Sequence, residues 1–211
     1  MESSSIPNIF TPKLKLIFSK NAMVGKTHRK NITGNFAASA LGRTSETIEK
    51  KSGAPLPADF PDELKRRKTI AFSTELKSIP HIAETLAKLN VPRCVASNTP
   101  LETVKICLRS TGLYNLFTPH IYSAQMVAKG KPSPDLFLYA ASEMRFAPKD
   151  CIVIEDTLHG VEAARAAGMR VFGFAGGSHC YKGYAEERLK NVELVFSDMR
   201  ELPVILSKTY R

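Results

Sequence analysis

The sequence predicts an α/β fold, a doubly wound parallel sheet, and three observations predict it. Short apolar runs of strand length recur along the chain, and Cys151–Ile154 is a β-branched run with no polar break, as suits a strand covered on both faces. Amphipathic helical stretches separate the runs, and strands alternating with helices require right-handed crossovers in a parallel sheet. Two adjacent acids, Glu155 and Asp156, stand where the Cys151–Ile154 run ends, the edge at which ligands of open α/β sheets collect.

Residues 1–12 carry turn formers without a period, and Leu14–Phe18 (LKLIF) is the first apolar run of strand length. Residues 23–57 hold short helical pieces broken at Gly25, Gly34, Gly42 and Gly53. From Pro61 the pattern is regular, with helices expected at Asp62–Leu76 and at His81–Leu89, the latter carrying Ile82, Leu86 and Leu89 on one face before Pro92. Arg93–Ala96 reads as a buried strand; Thr99-Pro100-Leu101-Glu102 then reads as a capping box, opening a helix that runs to about Thr111 with Gly112 closing it. His120–Ala124 is a short strand, and Ser133-Pro134-Asp135 opens a helix striped by Leu136, Phe137, Ala140, Ala141 and Met144. An alanine-rich helix closed by Gly168 follows Asp156, then an apolar strand to Phe174, a short strand at Glu193–Phe196 and a tail beyond Pro203. This divides the chain into residues 1–18 (lead and possible first strand), 19–78 (helical cap region) and 79–211 (core).

A chain of 211 residues buries one sizeable core. Cys94, Cys107, Cys151 and Cys180 show no C-x-x-C spacing, and the first three fall in apolar patterns; they read as small hydrophobes in a reduced, cytoplasmic setting rather than a disulfide or zinc framework. No apolar run has the length of a membrane span, so no membrane partner is expected. Of the net charge of +10, more than half comes from the first 45 residues, where Lys13, Lys15, Lys20, Lys26, Arg29, Lys30 and Arg43 face one acid, Glu2. Aromatic residues are sparse among them, so no stacking platform for single strands is visible and a nucleic-acid partner is not favoured. Gly25-Lys26-Thr27 is not a P-loop, because that pattern needs glycine at position 20 and finds Lys20.

Three strand ends offer a hydroxyl and an amide (Ser97, Asn98), a lysine (Lys131) and the pair Glu155 and Asp156. Each alone is an ordinary turn, a surface cation or acids at a helix start. Together at one sheet edge they complement a phosphoryl group, with donors and a cation for its oxygens and acids for Mg²⁺.

VASNTP (95–100), GKPSPDLF (130–137) and VIEDTLHGVEAARAAGM (153–169) resemble the second, third and fourth motifs of the haloacid-dehalogenase superfamily, closest to its phosphoglycolate phosphatase, sugar-phosphate phosphatase and β-phosphoglucomutase branch. The resemblance spans Gly42 to Leu202, about three quarters of the chain. It implies a Mg²⁺-dependent hydrolase of a small phosphorylated metabolite, a monomer or weak dimer. Ser97 and Asn98 would bind the transferring phosphoryl, Lys131 would bridge it to the nucleophile, and Glu155 and Asp156 would serve Mg²⁺. GRTSETIEKKSGAPLPADF (42–60) resembles part of the family's helical cap, so the resemblance implies an α/β core with a small, reduced helical cap over it.

The family's first motif, Asp-x-Asp-Gly, has no counterpart, since no aspartate precedes Asp59. If Leu14–Phe18 is the first strand, Ser19 stands at the nucleophile position and Asn21 at the acid/base position. A serine hydroxyl without an adjacent base is a poor nucleophile, and an amide cannot deliver a proton. The start has then decayed or been replaced, Mg²⁺ should bind more weakly, and activity should be weak or absent. A non-catalytic phospho-ligand or partner-binding relative is the alternative, and a basic nucleic-acid-associated protein using residues 13–43 a more distant one.

Overall fold

A computed structural model of the chain describes residues 15–26, 53 and 55–209. Its centre is a six-stranded sheet in the order β5-β4-β1-β6-β7-β8, parallel throughout. The strands are β1 (Lys15–Phe18), β4 (Arg93–Ser97), β5 (Ile121–Ser123), β6 (Cys151–Glu155), β7 (Arg170–Phe174) and β8 (Leu194–Phe196). A separate antiparallel pair joins β2 (Val24–Lys26) to β3 (Leu76–Ser78).

The LKLIF run therefore fills the middle of the sheet, with Phe18 level with Val95 on one side and Ile154 on the other. Leu16, Ile17 and Phe18 have no exposure at all, because both faces of β1 are covered. Side chains alternate across a strand, so Leu16 and Phe18 enter one core layer and Ile17 the other. The first layer is closed by α2 (Ile82–Lys88), α3 (Leu101–Ser110) and α7 (Leu202–Thr209) through Ile82, Leu86, Val104, Leu108, Leu202 and Leu206. The second is closed by α4 (Asp135–Glu143) and α5 (Leu158–Ala166), with the whole expected stripe Leu136, Phe137, Ala140, Ala141 and Met144 buried. Helices on both faces of a parallel sheet are the doubly wound architecture.

Two local expectations are corrected. Thr99 caps nothing with its side chain: α3 starts after Pro100 without a side-chain cap, and its Leu101 amide donates instead to Gln125 Oε1 at 2.9 Å. Residues 204–209 are not a tail but belong to α7, in whose first turn proline costs little because the N–H it lacks would have had no helical partner. A short helix α6 (Tyr184–Arg188) lies between β7 and β8. In the cap region the described elements are β2, α1 (Phe60–Thr74), which packs against α3, and β3, into which α1 leads. The expected lead (1–12), Leu14 and most of residues 42–60 lie outside the described residues. The cysteines are free thiols, three of them buried, as their apolar contexts predict. Among the described residues, no helix is long and apolar enough to cross a membrane.

Candidate functional site

The carboxyl ends of β4, β1 and β6 lie side by side, so the residues just past them are brought together from distant parts of the chain. The Ser19 amide donates to Ile154 O at 3.0 Å, which carries the β1–β6 ladder one residue beyond Phe18. Ser19 is thus buried beside the acids at the end of β6. Its hydroxyl donates to Asp156 Oδ1 at 2.6 Å and accepts from the Ala22 amide at 3.2 Å. Asn21 is half-buried in the turn that follows.

Lys131 reaches the same edge from the loop before α4. Its ammonium donates to Glu155 Oε2 at 2.8 Å and to Ala96 O at 3.1 Å, and lies 4.4 Å from the centre of the Phe137 ring. Asn98 clamps the lysine's backbone rather than its charge: Lys131 N donates to Asn98 Oδ1 and Asn98 Nδ2 donates to Lys131 O, both at 2.9 Å. Ser97 turns back onto its own loop, its hydroxyl accepting from the Thr99 amide at 3.1 Å.

Glu155 is folded against the start of α5. Its Oε1 accepts from the amides of Asp156 and Thr157 and from the Thr157 hydroxyl, while Oε2 holds Lys131. Gly160 makes this possible: a Cβ there would stand 1.9 Å from the Glu155 carboxyl carbon. Burial pushes the Glu155 carboxyl up, against the pull of the Lys131 ammonium. For Asp156, burial pushes the same way but is outweighed by the His179 ring and the Ser19 hydroxyl, which hold this carboxyl below its ordinary range.

His179 and Tyr184 are the residues that sequence reasoning missed. His179 Nε2 lies 3.0 Å from Asp156 Oδ2, within ion-pair distance but off the hydrogen-bonding direction, so Oδ2 has no aligned donor. The Asp156 carboxylate raises the imidazole to a pKa of about 10, which makes it a cation at neutral pH. Tyr184 Oη donates to Asp156 O at 2.7 Å. The available signal was Gly176-Gly177 directly after an apolar strand, two residues ahead of a histidine.

A hard divalent cation such as Mg²⁺ asks for several oxygen ligands. Both Glu155 oxygens are committed, positions 19 and 21 carry no carboxylate, and Asp156 Oδ2 faces a cationic ring. Among the described residues no three His, Cys, Asp or Glu side chains converge to hold a metal. This donor set does not fit Mg²⁺.

Comparison with known proteins agrees with the fold and motifs. A family model for haloacid dehalogenase-like hydrolases matches residues 20–168, beginning just past Ser19. A conserved haloacid dehalogenase-like protein of unknown function from Agrobacterium tumefaciens superposes with a TM-score of 0.78 at 30% identity, covering 93% of this chain and 99% of that one. A hydrolase of the same family from Deinococcus radiodurans, solved with bound phosphate and sodium, gives 0.74 at 27% identity over 93% of this chain and 96% of that one. Among curated proteins, the 6-phosphogluconate phosphatase of Escherichia coli is 29% identical over 108 residues, 51% of this chain and 49% of that protein. The phosphorylated carbohydrates phosphatase of Thermotoga maritima is 31% identical over 119 residues, 54% of this chain and 55% of that protein. The chain spans about half the length of these two curated relatives.

Proposed function

Because the chain belongs to the haloacid dehalogenase-like hydrolases, we propose that it is a phosphatase-type scaffold that binds a small phosphorylated metabolite of the sugar-phosphate type and turns it over weakly or not at all. The observation that carries this reading is Ser19 at the end of the central strand, donating to Asp156 where the family resemblance implies an attacking carboxylate.

A serine can attack phosphorus only if a base takes its proton. Asp156 receives the Ser19 hydroxyl, yet its carboxyl is held below the ordinary range, so it is a weak base and the proton stays on Ser19. Asn21 carries an amide and offers no proton to a leaving group. What remains suits binding: Lys131 as a fixed cation, Asn98 holding its loop, and the Ser19 hydroxyl at the same edge. The phosphate bound to the Deinococcus radiodurans relative supports a phosphoryl ligand in this fold. Phosphatases of this family generally use Mg²⁺; the residues present give it one carboxylate, and no step here is routed through it.

The test is hydrolysis of p-nitrophenyl phosphate by the full chain and by the double variant Ser19→Asp, Asn21→Asp. The unmodified chain is expected to stay at background with or without Mg²⁺, and the double variant to gain turnover. Turnover by the unmodified chain in the common enzyme range of about 1–10³ s⁻¹ would overturn the reading. No gain in the double variant would show that positions 19 and 21 are wrongly assigned. Competition by inorganic phosphate separates this function from binding of nucleic acid through residues 13–43, which would fall steeply with salt. Two cations of that stretch are placed against rings of the fold, Lys15 over Phe146 and Lys20 over Phe72.

A further inference from the structure

The segment from Gly176 to Tyr184 follows β7 and stands with two feet on Asp156: His179 Nε2 is 3.0 Å from Oδ2, and Tyr184 Oη donates to the backbone oxygen at 2.7 Å. Tyr181 lies between these feet. The Tyr184 amide donates to Tyr181 O at 2.9 Å, closing a turn that Gly183 permits with a φ of +88°. The turn sets three aromatic rings in a row. His179 meets Tyr184 at 5.3 Å and Tyr184 meets Tyr181 at 5.4 Å, both pairs edge-on.

The rings differ in what they still offer. His179 and Tyr184 are engaged with Asp156, whereas Tyr181 is 54% exposed. Tyr181 is nevertheless fixed at both ends. Its edge rests on Tyr184, and its hydroxyl donates to Glu187, which Arg188 holds at 2.9 Å. A large ring that is already immobilised has little rotamer freedom left to lose when a ligand covers it, so the apolar contact is gained at small entropic cost.

We propose that Tyr181 is the stacking platform for a flat heterocycle on the phosphorylated ligand, which makes that ligand a nucleoside monophosphate rather than a bare sugar phosphate. The order of the rings carries this. A phosphoryl group at the Ser19 and Lys131 edge sets the first ring of its ligand beside His179 and Tyr184, the two that touch Asp156. Tyr181 is one ring contact further out, where a second ring of the ligand reaches. In a nucleotide the ribose is the first ring and the base the second, and a base offers a flat π-face to an aromatic side chain whatever its identity.

The inference rests on the phospho-ligand reading, and the test keeps the two apart. Adenosine 5′-monophosphate, ribose 5-phosphate and inorganic phosphate are titrated calorimetrically into the full chain in EDTA. The unmodified chain is expected to bind the nucleotide about tenfold more tightly than ribose 5-phosphate, the scale of one base stacked on one aromatic ring. Tyr181→Ala is expected to bring the nucleotide down to the affinity of ribose 5-phosphate, and Tyr181→Phe, which keeps the ring, to retain the preference. Equal affinity for the two ligands in the unmodified chain would overturn the inference while leaving the phospho-ligand reading in place. A preference that survives Tyr181→Ala, one that disappears in Tyr181→Phe, or an equal fall for both ligands in Tyr181→Ala would overturn it as well. Binding of none of the three ligands would overturn the phospho-ligand reading and this inference with it.

Discussion

Glu155 and Asp156 are neighbours in sequence and equally buried, yet they have opposite surroundings. Both oxygens of Glu155 accept from fixed donors, two amides and a hydroxyl on Oε1 and an ammonium on Oε2. Asp156 holds one hydroxyl on Oδ1 and a misaligned ring on Oδ2. A saturated buried carboxylate fixes the loops around it, whereas an incompletely satisfied one is where a ligand can still change the energy. The Lys131 side of the pocket is therefore framework, and the Ser19 side is where a ligand can still act.

The largest effect should come from breaking the framework side. Glu155→Gln leaves the Lys131 ammonium buried without its counter-charge, and urea unfolding should show a loss of about 3 kcal/mol or more. Gly160→Ala attacks the same carboxylate sterically, and a loss of about 1–3 kcal/mol is expected. Because both changes act through one carboxylate, the double variant should lose less than the sum of the two. Asp156→Asn keeps the shape and an acceptor for Ser19, so its cost should be smaller, about 1 kcal/mol by the same measurement. A cost for Asp156→Asn equal to that of Glu155→Gln would remove the distinction between the two acids.

The smallest effect is one of pH. The imidazole of His179 is raised from 6.5 to about 10 by Asp156, so its contribution to stability is complete below about pH 6.5 and is lost as pH rises through about 10. The ring is 37% exposed, so solvent screens the pair and the change should be modest. The thermal midpoint of the unmodified chain should fall across this window more than that of His179→Gln. Parallel curves would show that His179 carries no charge at Asp156.

The central sheet was legible because its signal is local. Leu16–Phe18 and Cys151–Ile154 are apolar throughout, and complete coverage of both faces explains why no polar alternation breaks them. The second to fourth motifs were legible through their resemblance to a known family, and each falls at a strand end or in a loop of the sheet's carboxyl edge. What could not be read was tertiary. The amide of Leu101 finds Gln125 across 24 residues, which no reading of Thr99 as a cap could anticipate. His179 reaches Asp156 only because β6 and β7 are adjacent and the intervening glycines permit a close fold. The division of labour between Glu155 and Asp156 was hidden for the same reason, since it depends on which oxygens the surrounding loops occupy.

The position of β1 also has a consequence for how the chain acquires its structure. The segment Lys15–Phe18 is made early, yet Leu16 pairs with Arg93 on one side and Ile152 on the other. The middle of the sheet thus waits for partners made much later, and such distant pairings are slow to form. Until Cys151–Glu155 leaves the ribosome, β1 can have at most one flank covered, and four apolar-packed residues stay available to other strands. Folding of this protein should accordingly be governed by when its fourth motif arrives, making the same stretch that supplies Asp156 the one that closes the sheet.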